Sequence, residues 1–241
     1  MGWSERQVAM LREIGVRVWA APDEEVPAVP IAIEATAAAL APAAPTSPVS
    51  TLDWPALREA VAACTACKLC ETRRQTVFGV GNTSAHWMIV GEAPGEQEDR
   101  QGEPFVGKSG QLLDNMLRAV SMTRGEAEPA RQVFIANTLK CRPPGNRNPL
   151  PDELAKCEAF LIRQVELVRP KIILAMGAFA VQSLLRSTEP VGKLRGRVHR
   201  YQGVPLIVTY HPAYLLRNLV DKAKAWDDLC LAVETVQATG G

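Results

Sequence analysis

The chain has 241 residues, of which 47% are hydrophobic and 22% are charged, and its net charge is +1. A chain of this length buries roughly two-thirds of its unfolded surface, so it needs neither disulfides nor a metal merely to hold a core. No apolar run approaches the roughly 20 residues of a membrane span, and the first twenty residues lack the apolar stretch of a signal peptide. We therefore expect a soluble cytoplasmic protein, whose six cysteines are metal ligands or buried thiols rather than disulfides.

Residues 1–20 predict a short amphipathic helix. Ser4 and Gln7 form a capping box, and Val8, Leu11 and Ile14 repeat at helical spacing. The segment is too short and too apolar to stand alone in water. It either packs on its own domain or docks on a partner.

Residues 21–50 differ sharply in composition from the rest of the chain, with ten Ala, six Pro, four acids and no Lys, Arg, Gly or aromatic residue. Spaced prolines block helices and sheet ladders, and so little apolar bulk does not offset the entropy of ordering, so we predict a disordered acidic linker. The negative charge of the linker offsets the positive charge of the domain that follows it in the total for the chain. Residues 51–241 alone carry +4, which suits a polyanionic partner better than the overall charge does.

Strands and helices alternate after residue 51. The clearest predicted strands are His86–Val90, Val133–Thr138, Lys171–Met176 and Leu206–Tyr210, and the clearest helices are Ser109–Val120 and Asp152–Val168. Apolar strands separated by helices imply a mainly parallel sheet covered on both faces. In such a sheet the ligand site lies beyond the carboxyl ends of the strands, where Asn137, Gly177 and His211 fall.

Five cysteines fall into two groups. Cys64, Cys67 and Cys70 form a C-x2-C-x2-C run, and Cys141 and Cys157 flank a Pro-rich loop. Thiolates grouped in this way suit a zinc ion or an iron–sulfur cluster. A structural zinc usually draws on a second close pair, whereas a cluster tolerates ligands from distant segments. The close triplet leaves open which four of the five thiols bind.

Residues 102–109 match the phosphate-binding P-loop pattern letter for letter, but in the wrong context. A phosphate loop needs consecutive backbone NH groups directly between a strand and a helix. Here the predicted strand ends near Val90, and Pro104 has no NH to give. We predict no nucleoside triphosphate site, and we expect Phe105 in this Pro/Gly-framed loop to present a flat apolar face.

Four long motifs occur in order along the chain: CTAC, GEAPGEQEDRQGEPFVGKSG, NTLKCRPPGNRNPLPDE and HPAYLLR. Together they resemble the family 4 uracil-DNA glycosylases, the iron–sulfur branch of the uracil-DNA glycosylase superfamily. The resemblance implies a three-layer α/β/α sandwich with a four-stranded, mainly parallel central sheet. It also implies a 4Fe-4S cluster bound by Cys64, Cys67, Cys141 and Cys157, with Cys70 as a spare thiol. Such a cluster ties the segment before the sheet to the Pro-rich loop, so we predict that its role is structural.

The resemblance predicts a monofunctional enzyme that hydrolyses the bond between uracil and deoxyribose in DNA, in base excision repair of deaminated cytosine. The target nucleotide must first leave the base stack. Phe105 can then stack on the flipped base, and the Asn137 amide can donate to one carbonyl and accept from the ring NH, a pattern that cytosine reverses. The alternative is a noncatalytic iron–sulfur DNA-binding protein of the same fold.

Cleavage leaves negative charge on the departing uracil, and His211 is predicted to donate a hydrogen bond to the developing oxyanion. Backbone NH groups around Glu92 and Ala93, next to Gly91, add to the predicted uracil site. These residues follow the first and the last predicted strands, so we expect them to meet at one edge of the sheet.

The first motif departs from the best-known branch of the superfamily, in which an aspartate at the position of Ala93 directs the attacking water. We therefore predict Glu92 and Glu98 as the carboxylates that position water or stabilise the sugar cation, with Asn146 as a weaker candidate. A solvated acidic loop is the alternative for these residues.

The segment from Asn137 to Cys141 lacks the Arg/His-rich insertion of the sister branch that traps the sugar covalently. We predict turnover rather than a covalent adduct.

The residues after His211 are implied by the resemblance to enter the duplex. This predicted insertion loop comprises Tyr214, Leu215, Leu216 and Arg217. Leu215 or Leu216 can fill the gap that the flipped base leaves. A basic strip formed by Lys193, Arg195, Arg197, Arg200 and Arg217 can neutralise DNA phosphates.

The segment LREIGVRVWAAP near the N-terminus is similar to the peptide with which the psi subunit of bacterial DNA polymerase III docks onto the chi subunit. We predict that Leu11, Ile14, Val16 and Trp19 bind a chi-like replisome component, with self-packing of this helix as the alternative. We expect a monomer associated with the nucleoid in the cytoplasm.

Overall fold

The computed structural model describes residues 48–238 of the chain, so the predicted N-terminal helix and residues 21–47 of the predicted linker lie outside the described residues. The strands are β1 (Val80–Gly81), β2 (Trp87–Gly91), β3 (Val133–Asn137), β4 (Ile172–Met176), β5 (Val198–Tyr201) and β6 (Val204–Thr209). The helices of this range are α1 (Trp54–Ala62), α2 (Glu96–Gln101), α3 (Lys108–Ala119), α4 (Pro151–Val168), α5 (Ala178–Leu185), α6 (Val191–Leu194), α7 (Pro212–Leu215) and α8 (Lys222–Ala238). The predicted strands and helices therefore lie within a residue or two of observed ones.

The strands form one sheet in the order β1-β3-β2-β4-β6-β5. The four central strands are parallel, as predicted, whereas β1 and β5 pair antiparallel at the two edges. The sheet thus has six strands rather than the four predicted. Sequence patterns did not reveal the edge strands because β1 has two residues and β5 is largely exposed. Gln202 and Gly203, both with positive φ, form the tight hairpin turn that joins β5 to β6.

Successive side chains of the central strands face opposite sides of the sheet, as a period of two requires. In β2, Met88 and Val90 pack in one core with α1, α4 and α5. Trp87 and Ile89 pack in a second core with α3 and α8. Apolar side chains on both faces are what a sheet buried between two helical layers needs, so the predicted three-layer α/β/α architecture is confirmed.

The described chain begins before the predicted domain boundary at residue 51. Pro48–Thr51 forms a short 3-10 helix, and Val49 and Leu52 pack against the core that contains Met88. The end of the predicted linker is therefore placed too late, because an isolated valine within a Pro- and Ala-rich segment gave no periodic signal.

The parallel register brings the carboxyl ends of the central strands together at one edge of the sheet. Gly91 at the end of β2 is the partner of Asn137 at the end of β3, and Met176 of β4 is the partner of Thr209 of β6. The loops that follow these residues therefore meet. Among the described residues, no helix is long and apolar enough to cross a membrane.

Candidate active site

A pocket of about 880 Å³ opens beyond the carboxyl ends of β2, β3, β4 and β6. The predicted site residues that line it are Glu92, Ala93, Glu98, Phe105, Asn137, Asn146, His211, Tyr214 and Arg217. These residues come from five separate segments of the chain, and the topology of the sheet brings them to a common edge.

Gly91 lies where the Asn137 side chain and the Phe105 ring come closest. A Cβ atom at Gly91 would lie 2.4 Å from Asn137 Oδ1 and 2.6 Å from Phe105 Cζ. Both side chains are buried, with 3% of Asn137 and 5% of Phe105 exposed. Glycine at this position is therefore required for a flat ring and an amide edge to adjoin in one pocket, which is the arrangement predicted for a planar base.

The backbone around Phe105 is held in an unfavourable conformation. Phe105 has φ of 56°, a left-handed conformation that large side chains rarely adopt. Glu98 Oε1 accepts hydrogen bonds from the backbone N–H groups of Val106 (3.0 Å) and Gly107 (3.2 Å), and Arg124 Nη1 donates to the Pro104 carbonyl at 3.0 Å. Glu98, predicted to act on water or on the sugar, therefore has a structural role in holding the Phe105 loop.

The same contacts explain why the P-loop pattern has no phosphate cradle. Helix α2 lies between β2 and residues 102–109, so the loop does not join a strand directly to a helix. The N–H groups of Val106 and Gly107 already donate to Glu98. The prediction against a nucleoside triphosphate site agrees with this geometry.

His211 follows β6 and caps the first turn of α7. Its Nδ1 accepts a hydrogen bond from the Ala213 N–H at 3.1 Å, so the proton of the neutral ring resides on Nε2. Burial lowers the pKa of His211 to about 4, with Glu98 opposing this shift and Arg217 adding to it. At neutral pH His211 is therefore an uncharged imidazole with an Nε2–H to donate.

The His211 ring is positioned by two close contacts. It stacks on Phe105 with ring centroids 5.4 Å apart and an interplanar angle of 25°. On another side, a Cβ at Gly177 would lie 2.9 Å from His211 Cβ, and Gly177 also has a positive φ of 89°. Glycine after β4 thus lets the His211 loop approach the sheet edge.

Glu92 is the pocket carboxylate whose ionisation is most strongly altered. Burial raises the pKa of Glu92 to about 7. Its backbone carbonyl accepts hydrogen bonds from Leu139 N and Thr138 Oγ1, so the segment after β2 is tied to the segment after β3. A carboxyl group with this pKa exchanges protons near neutral pH and suits acid–base or water-positioning chemistry.

The loop between Cys141 and α4 supplies another wall of the pocket. Asn146 has φ of 55°, and its Oδ1 accepts a hydrogen bond from Arg142 Nε at 2.7 Å. Arg147, which the sequence analysis did not single out, lines the pocket and pairs with Glu153 through two hydrogen bonds of 2.9 and 2.5 Å. Asn146 therefore orders this loop, and Arg147 brings a positive charge to the pocket.

The predicted insertion loop divides into exposed and buried side chains. Tyr214 is 36% exposed and Leu216 is 41% exposed, whereas Leu215 is 1% exposed. Leu215 is therefore unsuited to enter a duplex, because it belongs to the buried side of the short helix α7. Leu216 and the exposed Arg217 lie on the accessible side, next to the pocket that Arg217 lines.

Arg195 does not belong to the predicted basic strip. Its guanidinium binds both carboxylate oxygens of the fully buried Asp228, at 3.1 and 2.9 Å, and also donates to the Lys224 carbonyl. These partners tie Arg195 to α8, where it neutralises a buried charge instead of facing solvent. Lys193, Arg197 and Arg200 are exposed.

The cysteines predicted as cluster ligands line one cavity between α1, α4 and the loop after β3. The residues are Cys64, Cys67, Cys141 and Cys157, and Cys70 lines the same cavity. Arg73 Nη1 donates to Cys141 Sγ at 3.1 Å, and the Lys140 N–H donates to Cys157 Sγ at 3.3 Å. Hydrogen bonds from cationic and backbone donors favour thiolate sulfur, the form that binds metals.

Within residues 48–238, no three Cys, His, Asp or Glu side chains form a group that could hold a single metal ion. Burial raises the pKa of Cys157 to about 12, against the opposing effect of Lys140. Burial likewise raises the pKa of Cys67 and Cys141. The protein part alone therefore favours thiols, and deprotonation requires the positive charge of bound metal.

Other residues of the pocket wall were missed by the sequence analysis: Phe179, Pro190, Val191, Gly192 and Tyr210. Tyr210 and Phe179 follow strand ends, so the rule that places ligands at these ends indicated their position. Residues 190–192 lie at the start of α6, away from any strand end, and no comparable signal marks them. Tyr210 stacks on Tyr214 with ring centroids 5.0 Å apart, which connects the pocket wall to the predicted insertion loop.

Comparison with known proteins gives a consistent set of relatives. The family model of the uracil DNA glycosylase superfamily matches residues 78–230. The chain is 43% identical over 162 residues to the type-4 uracil-DNA glycosylase of Thermotoga maritima, covering 66% of this chain and 81% of that protein. It is 40% identical over 164 residues to the Archaeoglobus fulgidus type-4 enzyme (65% and 79%) and 38% identical over 190 residues to the Pyrobaculum aerophilum one (75% and 93%).

Proposed function

The chain belongs to the uracil-DNA glycosylase superfamily, and from this premise we propose that it excises uracil from DNA by flipping the nucleotide into the pocket and stabilising the departing uracil anion. The observation that carries this function is the convergence of Phe105, Asn137 and His211 on one pocket edge. The activity is that of a DNA glycosylase, a hydrolase acting on N-glycosyl bonds. A noncatalytic DNA-binding role is not favoured, because the relatives are glycosylases.

The base is read by one face and one edge. Uracil stacks on the Phe105 ring, while the Asn137 amide donates to a carbonyl and accepts from the ring N–H. Cytosine offers the opposite donor and acceptor pattern, so its binding leaves buried polar groups unpaired, which costs about 1–3 kcal/mol for each group. The lack of a side chain at Gly91 supports this role, because a Cβ there would overlap both the Asn137 amide and the Phe105 ring.

The leaving group is stabilised by a neutral donor. When the glycosidic bond breaks, its electron pair stays on uracil, and the Nε2–H of His211 donates a hydrogen bond to the resulting oxyanion. The pKa of about 4 keeps His211 uncharged, so the ring donates a hydrogen bond without transferring a proton. One preorganised donor of this kind lowers the barrier by roughly 3–4 kcal/mol.

Water completes the hydrolysis at the sugar. Its oxygen forms the new bond to C1′ as uracil departs, and its proton passes to Glu92 or to solvent. Glu92, with a pKa near 7, is partly ionised at neutral pH and orients this water or stabilises the sugar cation. Glu98 acts indirectly through the Phe105 loop.

The DNA lies across the pocket mouth. Leu216 fills the gap left by the flipped base, and Tyr214 borders it. Phosphates are neutralised by exposed cations of the basic strip, namely Lys193, Arg197, Arg200 and Arg217. The product is an abasic site without a covalent link to the enzyme.

The thiols of Cys64, Cys67, Cys141 and Cys157 bind a 4Fe-4S cluster, with Cys70 spare. The donor set supports this assignment, because the thiols surround one cavity and two of them accept hydrogen bonds from Arg73 and Lys140. When bound, the cluster would cross-link distant segments of the chain.

We also propose that the protein is a monomer that works at the nucleoid in the cytoplasm. Residues 1–20 dock on a chi-like replisome subunit. A pull-down in which these residues retain no replication protein would refute that docking.

The function is tested with the purified full-length holoprotein on a uracil-containing oligonucleotide, followed by alkali cleavage of abasic sites. Strand cleavage is expected for the wild type and a loss of about 10²-fold or more for Asn137→Ala, which removes the edge contacts. Asn115→Ala, an exposed asparagine on α3, is the matched control and should retain activity. Uracil left intact by the iron-loaded wild type would refute the proposed function.

A further inference from the structure

Lys140 is a lysine almost without solvent contact, with 1% of its surface exposed. Lysine is rarely buried to this extent unless its ammonium group is fully engaged by partners. Lys140 lies three residues after Asn137 and immediately before Cys141, between the substrate pocket and the cysteine cavity.

The ammonium group of Lys140 holds the end of β3. Lys140 Nζ donates to the Asn137 backbone carbonyl at 2.8 Å and to Gln164 Oε1 at 2.6 Å. Gln164, itself 0% exposed, donates through Nε2 to the Phe78 carbonyl at 2.9 Å. This buried chain of hydrogen bonds fixes the backbone of the residue whose side chain faces the pocket.

The other side of Lys140 faces the cysteines. Its N–H donates to Cys157 Sγ, its side chain lines the cysteine cavity, and its carbonyl accepts from Val77 N at 2.8 Å. Lys140 thus contacts a residue of the substrate pocket, Asn137, and a residue of the cysteine cavity, Cys157.

We propose that Lys140 is a positioning residue that sets the orientation of the Asn137 amide in the pocket and couples it to the cysteine cavity. This role goes beyond the proposed function and rests on it for the assay. Lys140 is buried and is not among the residues that line the substrate pocket, so we expect its effect on excision to pass through Asn137.

Lys140→Met is the first test, because it removes the ammonium group and keeps the length of the stem. The kcat/KM for uracil excision should fall by at least about tenfold, within the range of coupling between residues of one hydrogen-bond network. In the Asn137→Ala background the same change should lower kcat/KM by less than about threefold, because the group that Lys140 positions is already gone. Iron content is measured on each variant to establish that the holoprotein has formed.

Lys156→Met is the matched control. Lys156 lines the same cavity but has 44% of its side chain exposed and pairs with Asp152 at 2.9 Å. Loss of the same charge there should leave excision within about twofold of wild type, as for a surface ion pair.

A readout independent of catalysis is the NMR signal of the Asn137 side-chain amide, identified by its absence in Asn137→Ala. This signal should shift in Lys140→Met and stay unchanged in Lys156→Met. If Lys140→Met does not fold, Gln164→Met removes one acceptor of the ammonium and should give the same non-additive loss with Asn137→Ala.

Losses that add fully with Asn137→Ala, an unshifted Asn137 amide, or full activity in both Lys140→Met and Gln164→Met would overturn the proposal. Failure of the wild type to release uracil would refute the proposed function instead, and the amide signal would still decide the role of Lys140.

Discussion

The substrate pocket and the cysteine cavity differ in how the chain holds them. Pocket residues stand at the ends of paired parallel strands, and Gly91 and Asn137 are direct register partners. The cysteine cavity instead gathers thiols from the end of α1, a 3-10 turn, the loop after β3 and helix α4. These cysteine-bearing segments contribute no strand to the sheet.

This difference separates two physical tasks. Backbone hydrogen bonds of the sheet fix the pocket, so its residues can tolerate unfavourable features such as the positive backbone φ of Phe105 and the buried carboxyl of Glu92. The segments around the cysteines depend on side-chain contacts and on the group that the thiols bind. We therefore expect cysteine substitutions to lower stability most, and pocket substitutions to lower activity most.

The largest effect is expected for Cys141→Ser. Loss of one ligand should release the cluster and lower the free energy of unfolding by at least about 4 kcal/mol, as removal of a structural metal group can. Cys70→Ser, a change of the spare thiol in the same cavity, should keep its iron and its stability. Iron and sulfide analysis of anaerobically purified protein, together with thermal unfolding, measures both. If Cys141→Ser kept its iron and its stability, the cysteine cavity would not differ from the substrate pocket in its dependence on a bound group.

The pH dependence of Glu92 gives the next effect. If its carboxylate is the active form, kcat/KM should fall about tenfold for each pH unit below about 7, and Glu92→Gln should lose this acid limb along with about 10² in rate. Glu96→Gln, at the exposed acid that begins α2, should keep the wild-type profile. If kcat/KM of Glu92→Gln still fell at low pH as in the wild type, the responsible ionisation would belong to another group.

Stability should respond in the opposite direction at Glu92. Its folded pKa of about 7 lies above the ordinary value of 4.5, so the protonated side chain favours folding and this contribution is lost as the pH rises through 7. As the pH rises from 4.5 to 7, the free energy of unfolding of Glu92→Gln should therefore increase relative to that of the wild type. Denaturant unfolding at both ends of the interval measures this gain.

A smaller effect is expected for Leu216→Ala. It should lower kcat/KM on duplex DNA by roughly tenfold and leave single-stranded DNA almost unaffected, because an apolar wedge offsets an unstacking cost of a few kcal/mol. Leu219→Ala, at a leucine that is 64% exposed just beyond the loop, is the matched control. Equal losses on both kinds of DNA would count against insertion at Leu216.

Much of the fold was predictable because the central strands are buried on both faces and their sequences are therefore continuously apolar. Apolar runs separated by amphipathic helices predicted the four parallel strands within two residues. Strand β1, with two residues, and the exposed strand β5 carry no such pattern. The Gln202-Gly203 pair, which is compatible with a tight turn, was the sequence feature that could have indicated the β5–β6 hairpin.

Site residues could be predicted where their position at the end of a strand brings them to the pocket. They could not be predicted where the direction of the side chain decides whether the residue is buried or exposed. Asn137 and His211 follow strand ends, so topology alone places them at the pocket. The burial of Leu215 was not predicted, because a single turn of helix directs one leucine inward and the next outward. Arg195 was misplaced because a buried carboxylate, Asp228, lies 33 residues away in sequence, beyond the reach of local patterns.

Uracil release by His211→Ala is the most direct measure of whether this pocket stabilises a uracil anion through a neutral imidazole. His199→Ala is the control, since the His199 ring contacts the Leu194 carbonyl at 2.7 Å and does not line the pocket. At neutral pH under single-turnover conditions, folded His211→Ala should lose about 10²–10³ in rate, the worth of one preorganised donor, while His199→Ala stays near wild type. A loss below about tenfold in a folded, iron-loaded His211→Ala would contradict this account, because a donor at the oxyanion contributes more than that.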